Sequence, residues 1–257
     1  MVLPRSHYGL GGPGTTLAKW IGRNGTTVNA PAKARPPRQR LGRREQLSDE
    51  VAAYLRVGIM TGTFRPGTFI RLDETAAQLG VSITPVREEL RTLRGEGMVH
   101  LEPHRGHVVA PFTRGDIEDL FWLQATIAAQ LVRTATQRIT DDELAELERL
   151  VDELADAVEA KDSARVIDSE FAYFRTLNRA AGRIKLAWFL LHAARYLPSL
   201  MYANDPDWGV AAVANHRELT AALRRRDVDA VVRLTSEQFS DAARRLTARL
   251  DELGLWT

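Results

Sequence analysis

The sequence predicts a mostly α-helical protein, with an N-terminal winged helix-turn-helix followed by an all-α helical bundle. Three observations carry that prediction. Residues 70–98, IRLDETAAQLGVSITPVREELRTLRGEGM, hold two short helical patterns separated by Gly80-Val81-Ser82. Directly after them, two short strand-like stretches flank a Pro103-His104-Arg105-Gly106 turn. Beyond Pro111 the strand pattern stops, and apolar residues recur at helical spacing almost to the C-terminus.

The regular part of the chain begins at Gln46. Leu47, Val51, Leu55 and Ile59 recur four apart, Ser48 is placed to cap the helix, and Glu50 lies in its first turn. This helix is expected to end at Gly62 and to brace the helix-turn-helix. Arg65-Pro66-Gly67 reads as a turn, from which Thr68 to Ile70 lead into the motif. In its first helix and corner, Ala76, Leu79 and Val81 supply an apolar side, and Gly80 can take the positive φ that a tight corner demands. At 3.6 residues per turn, the second helix sets Arg87, Arg91 and Arg94 along one face and Val86, Leu90 and Leu93 along another. One face packs and the other reaches outward, as in a helix-turn-helix whose second helix enters the DNA major groove. Gly95-Glu96-Gly97 ends that helix, residues 99–102 and 107–110 form the strands of a wing, and the wing carries a cation at its tip.

The words GVSITPVREEL and GEGMVHLEPHRGHVV resemble the winged helix of the GntR family of bacterial transcription regulators, over residues 47–111. The resemblance implies binding to a double-stranded DNA operator. Arg87, Arg91 and Arg94 are the candidate contacts on the second helix; the alternative is that they are solvated or paired with Glu88 and Glu89. Ser82 and Thr84 can cap the helix or donate to phosphate. His104, Arg105 and Gly106 at the wing tip are placed for phosphate or the minor groove. The chain departs from the family in two places. Leu72 stands where an acidic residue is usual, leaving Asp73 as the candidate cap, and Ile83 replaces an Arg that commonly reads DNA; an Ile can still touch a thymine methyl group.

Composition narrows the function classes. The chain has 257 residues, 44% of them hydrophobic, enough for one large core or two ordinary ones. It has no Cys, which removes disulfides, thiolate nucleophiles and cysteine metal sites. Six scattered His, no Gly-rich phosphate loop and no nucleophile–base pair argue against an enzyme. The longest apolar run, residues 186–191, falls far short of the roughly 20 residues that cross a bilayer, and no charged-then-apolar leader opens the chain. A cytoplasmic protein without a membrane partner is expected. The net charge of +2 conceals a partition: residues 1–47 hold nine Lys/Arg against Glu45 alone, and the remainder holds 26 cations against 32 anions. Residues 1–46 therefore read as a basic, Gly- and Pro-rich arm, disordered when free, that either binds phosphates or is an inert extension.

Residues 112–257 read as the bundle. Thr113 with Asp116, and Thr140 with Glu143, have capping-box spacing at the starts of helices 114–138 and 141 onward. Leu144, Leu147, Leu150, Val151, Leu154 and Val158 share one face of the second. Further helices are expected at 163–181, 184–196, 210–225 and 228–253, making six in an antiparallel bundle.

Residues 119–144, 173–182 and 215–230 resemble the FCD effector domain of the FadR-like GntR subfamily, a bundle that binds a small acid and often a metal. The family's metal positions fall on Glu170, Phe174, His216 and Gln238, of which only His216 is kept. A phenyl ring has no lone pair and Gln is a poor ligand, so no metal cofactor is expected. Gln124 and Ala128 stand where the family has Arg and Glu, leaving a less polar pocket. The resemblance thus implies a homodimeric, ligand-responsive regulator of a palindromic operator. Its effector contacts would be Gln124, Glu170, Phe174, His216 and Gln238. The aromatic supply around them, including Trp122, Tyr173, Trp188 and Phe189, favours a fatty acid or acyl thioester, if those rings are not simply core. The alternatives are a small carboxylic acid, or a constitutive or architectural DNA binder with a decayed pocket.

Overall fold

The computed structural model describes residues 39–256, with side chains described from Ser48 onward. Residues 1–38, most of the expected basic arm, lie outside the described residues. The chain divides into two compact units, each with its own core. One comprises the chain up to Gly58 together with Gly67–Ala110, and the other Ile59–Pro66 together with the chain from Pro111 onward.

The first helix, α1 (Gln39–Met60), starts well before Ser48, so Ser48 is an interior residue and not the expected cap. Residues 39–46, read from the sequence as arm, are helical backbone. Gln, Arg, Leu and Glu dominate this stretch, and their helix propensity extends the helix past the Ser. Its repeat of Val51, Leu55 and Ile59 is buried, each at most 1% exposed.

A two-residue strand comes next, β1 (Phe69–Ile70), too short for any alternation to mark it in the sequence. α2 (Leu72–Leu79) begins after Arg71, which makes no side-chain cap. Asp73 is in the first turn and is not the cap expected of it; there its charge still favours the helix dipole. Gly80 takes φ +66°, and its N–H reaches the carbonyls of Ala76 and Ala77, closing α2 and turning the chain into α3 (Ile83–Gly95). Val86, Leu90 and Leu93 of α3 are fully buried. β2 (Val99–Glu102) and β3 (Gly106–Val109) form the wing. β3 starts and ends one residue earlier than expected because Gly106 itself pairs with Glu102. The sheet order is β1-β3-β2, all antiparallel, with Phe69 opposite Val108 and Val99 opposite Val109.

The second unit contains α4 (Arg114–Arg138), α5 (Asp141–Glu159), α6 (Ser163–Ala181), α7 (Ile184–Ala193), a 3₁₀ turn (Ala194–Tyr196), α8 (Ser199–Ala203), α9 (Pro206–Arg224) and α10 (Val228–Glu252). Thr113–Asp116 and Thr140–Glu143 are both complete capping boxes. α9 starts earlier than the expected residue 210: Asp205 accepts from the backbone N–H groups of Asp207 and Trp208, and Pro206 occupies the first turn, where its missing N–H costs nothing. α8 was not expected; its five residues carry no readable period. α10 packs on α4, α5 on α6, α9 on α5 and α10, and α4 on α6 and α7. Arg226, with φ +57°, donates to the carbonyls of Thr136 (2.7 Å) and Ile139 (2.6 Å), tying the α9–α10 corner to the end of α4.

Candidate nucleic-acid interface and a buried polar site

The outer face of α3 is built as the periodicity requires. Arg87, Arg91 and Arg94 are all exposed, and none of the three forms an ion pair with Glu88, Glu89 or any other described residue. Ser82 occupies the cap position of α3 without a side-chain hydrogen bond, so its exposed hydroxyl, like that of the exposed Thr84, is available to a phosphate. Ile83 is 41% exposed beside them. An exposed row of cations at the start of a short amphipathic helix, with hydroxyls at its N-terminus, suits phosphate and base-edge contact.

What holds α3 in place is a buried ion pair. Arg56 of α1, 5% exposed, donates from Nε to Glu96 Oε2 (2.8 Å) and from Nη2 to Glu96 Oε1 (2.5 Å), and Glu96 is the residue that ends α3. Glu89 faces the same side of α1; burial raises its carboxyl above the ordinary range, while a hydrogen bond from Ser48 and the charge of Arg56 pull it back. Neither role was visible in the sequence, where Arg56 sits in a helix repeat with no partner in register.

At the wing, His104 takes φ +64° and Gly106 φ +106°, forming the tight tip. Arg105 lies with its guanidinium 5.0 Å from the centre of the Phe69 ring and 3.3 Å from Glu102, which orients it while leaving its side chain 69% exposed. His107 was not singled out by sequence. It is buried in β3, and burial, reinforced by the charges of Arg94 and Arg91, pushes its imidazole below its ordinary range.

In the bundle, Glu170 and Phe174 of α6, His216 of α9, Gln124 of α4 and Gln238 of α10 lie on helices that pack into one core. Gln124 and His216 are 0% exposed. His216 Nε2 stands 3.0 Å from Glu170 Oε1, an ion-pair distance, and neither atom forms a hydrogen bond. Both polar atoms of Gln124, Nδ1 of His216 and Oε1 of Gln238 are likewise buried without a partner. Phe174 meets the His216 ring edge-on, with centres 5.3 Å apart. Tyr173 stacks on the other side, with centres 4.2 Å apart, and its hydroxyl is 2.9 Å from Thr220 Oγ1. Burial raises the Tyr173 phenol, so it stays protonated. Thr220 is the part of this site that sequence reasoning missed, one turn from the expected contact His216; Tyr173, expected among the surrounding rings, is the one that stacks on it.

Two of the four positions at which the resemblance implies a metal, Glu170 and His216, carry good ligand atoms. Phe174 offers none and Gln238 a weak one, and no cluster of three or more His, Asp or Glu able to hold a metal occurs among the described residues. Three of the rings expected to wall an apolar pocket lie on the protein surface instead: Trp122 is 67% exposed, Trp188 40% and Phe189 57%.

Comparison with known proteins agrees with this architecture. Residues 47–109 match the family described as bacterial regulatory proteins, gntR family, and residues 119–241 match the FCD domain. The Nta operon transcriptional regulator of Aminobacter aminovorans is 31% identical over 170 residues, covering 65% of this chain and 78% of the relative. The HTH-type transcriptional repressor RspR of Escherichia coli K12 is 23% identical over 204 residues, 77% of this chain and 87% of that protein. Among solved structures, E. coli McbR/YncC superposes with a TM-score of 0.62 at 22% identity, covering 79% of this chain and 98% of that one, a likeness of fold. These relatives are transcription regulators and not enzymes. With an exposed cationic α3 in a winged helix and an FCD bundle following it in the sequence, the chain belongs to the GntR family of transcription regulators.

Proposed function

We propose that the protein acts in the cytoplasm as a homodimer on a palindromic operator, and that a small effector seated among Gln124, Glu170, Phe174, His216 and Gln238 releases or retunes DNA binding without a metal. The observation that carries the effector reading is the set of buried polar atoms without partners in the bundle core. Each such atom costs about 1–3 kcal/mol unless something hydrogen-bonds to it, and a bound ligand supplies that partner.

The homodimer is supported by the apolar side chains that α4 and α7 leave exposed, Trp122, Leu123, Ile184, Trp188 and Phe189. α4 carries both features, since Gln124 points into the core directly after the outward Trp122 and Leu123. A ligand that draws on Gln124 therefore acts on the helix that would meet the second copy. It changes DNA affinity only by the difference in its own affinity for the two arrangements of the dimer. Those outward rings favour self-association over a lipid pocket, and the inward polar atoms favour a small polar effector over a fatty acid.

The test is a gel shift on the DNA upstream of the protein's own gene, run with a panel of fatty acids, small acids, polyols and amines, each with and without zinc. A polar compound should weaken or strengthen operator binding at least tenfold, with no need for zinc, and His216→Leu should abolish the response while still binding the operator. A response that requires zinc would overturn the metal-free site. Operator binding indifferent to the whole panel would instead make the protein a constitutive binder.

A further inference from the structure

The chemistry of the buried site restricts what can occupy it. We infer, resting on the proposed effector site, that the ligand of the bundle is a small organic ammonium compound and not a carboxylate. The lone pairs and protons at the site decide this. Among the buried atoms without hydrogen-bond partners, Gln124 Oε1, Glu170 Oε1 and Gln238 Oε1 are acceptors. Against them stand the Gln124 amide nitrogen and the His216 ring N–H as donors.

Glu170 is the acidic side chain of the site. Its one charge contact is the His216 ring, and no Lys or Arg pairs with it among the described residues. Glu170 Oε1 forms no hydrogen bond and can accept one from a ligand. An incoming carboxylate would bring a second negative charge and more acceptors to a site already rich in both, with few N–H groups to receive it. An ammonium group brings a positive charge for Glu170 and up to three N–H donors for the open oxygens.

The burial of the site residues is graded. Gln124 and His216 are 0% exposed, whereas Glu170, Phe174 and Gln238 are half-buried. The charged end would meet Glu170, with the Phe174 ring, set edge-on to His216, as an apolar wall for a short alkyl stem.

The test uses matched pairs of probes on the full chain: butylamine against butyrate, putrescine against succinate, and ethanolamine against glycolate. Each is titrated by thermal shift and calorimetry at constant ionic strength. At least one amine should bind tenfold or more tightly than its acid partner, shift the unfolding midpoint saturably, and lose that preference in Glu170→Gln. Tighter binding of the acid members, or amine binding unchanged by Glu170→Gln, overturns the inference. The operator gel shift keeps the two readings separate. A carboxylate or polyol that moves operator binding through His216 refutes the ammonium class and leaves the effector site standing. If no probe of either charge binds or moves operator binding, both readings fall.

Discussion

Arg87 and Arg91 project from α3 with no partner in their own protein among the described residues, so their charge is free to meet a nucleic acid. Arg87→Ala combined with Arg91→Ala should cut operator affinity roughly 100-fold, taking about 1–3 kcal/mol per contact to a base edge. It should also flatten the salt dependence, since each lost phosphate contact removes about 0.9 from its logarithmic slope. Circular dichroism and the unfolding midpoint should stay as in the wild type; unchanged affinity would mean that α3 does not read DNA. His107 gives the same domain a pH dependence. Burial beside Arg94 and Arg91 holds its folded-state pKa below the unfolded value of 6.5. As pH falls through 6.5 toward the folded value, the unfolded chain takes up the proton first, so stability declines across that window and is constant above it. In urea titrations of wild type and His107→Gln, the wild type should lose stability between pH 7 and pH 5 relative to the variant; parallel curves would refute this. Of the residue-scale features, the cationic row on α3 was legible because it is local and periodic. The coupling of His107 to α3 was not, because β3 meets that helix only through the fold.

At the scale of elements, α3 is held from behind by Arg56, whose guanidinium closes on Glu96 with little exposure to water. Removing one partner of a buried pair leaves an uncompensated charge. Arg56→Met should therefore lower the stability of the winged helix by about 3 kcal/mol in chemical denaturation. It should also weaken operator binding, although Arg56 itself is hidden from DNA. A loss below about 0.5 kcal/mol, the level of an ordinary surface change, would show that the pair does not hold the helix. Boundaries obey the same division between local and distant causes. Both Thr capping boxes of the bundle fall where four-residue spacing put them. The start of α1 was misjudged because Ser48 has the chemistry of a cap, while the preceding residues have the propensity to continue the helix.

At the scale of the whole molecule, the exposed rings of α4 and α7 and the inward Gln124 make one helix serve two surfaces. Trp122→Glu with Phe189→Glu should convert the proposed dimer to a monomer in sedimentation velocity, because a stable interface needs roughly 800 Å² of well-packed surface on each partner and two charges at its centre would oppose that. Operator affinity should fall with it, since a monomer grips only one half-site. A variant that remains dimeric would locate the interface elsewhere.

Periodicity, caps and turn residues are properties of neighbouring positions, and so the sequence by itself determined the helix-turn-helix, the wing, the long helices and the cationic face of α3. Residues far apart in the chain meet only when helices pack. Tertiary structure alone therefore decided that Arg56 clasps Glu96, that His216 lies against Glu170 with Tyr173 stacked on it, and that Trp122, Trp188 and Phe189 face outward. An apolar ring satisfies a helical period equally well on a buried face or on one that awaits a second chain. A buried amide reveals its missing partner only once every neighbour is in place.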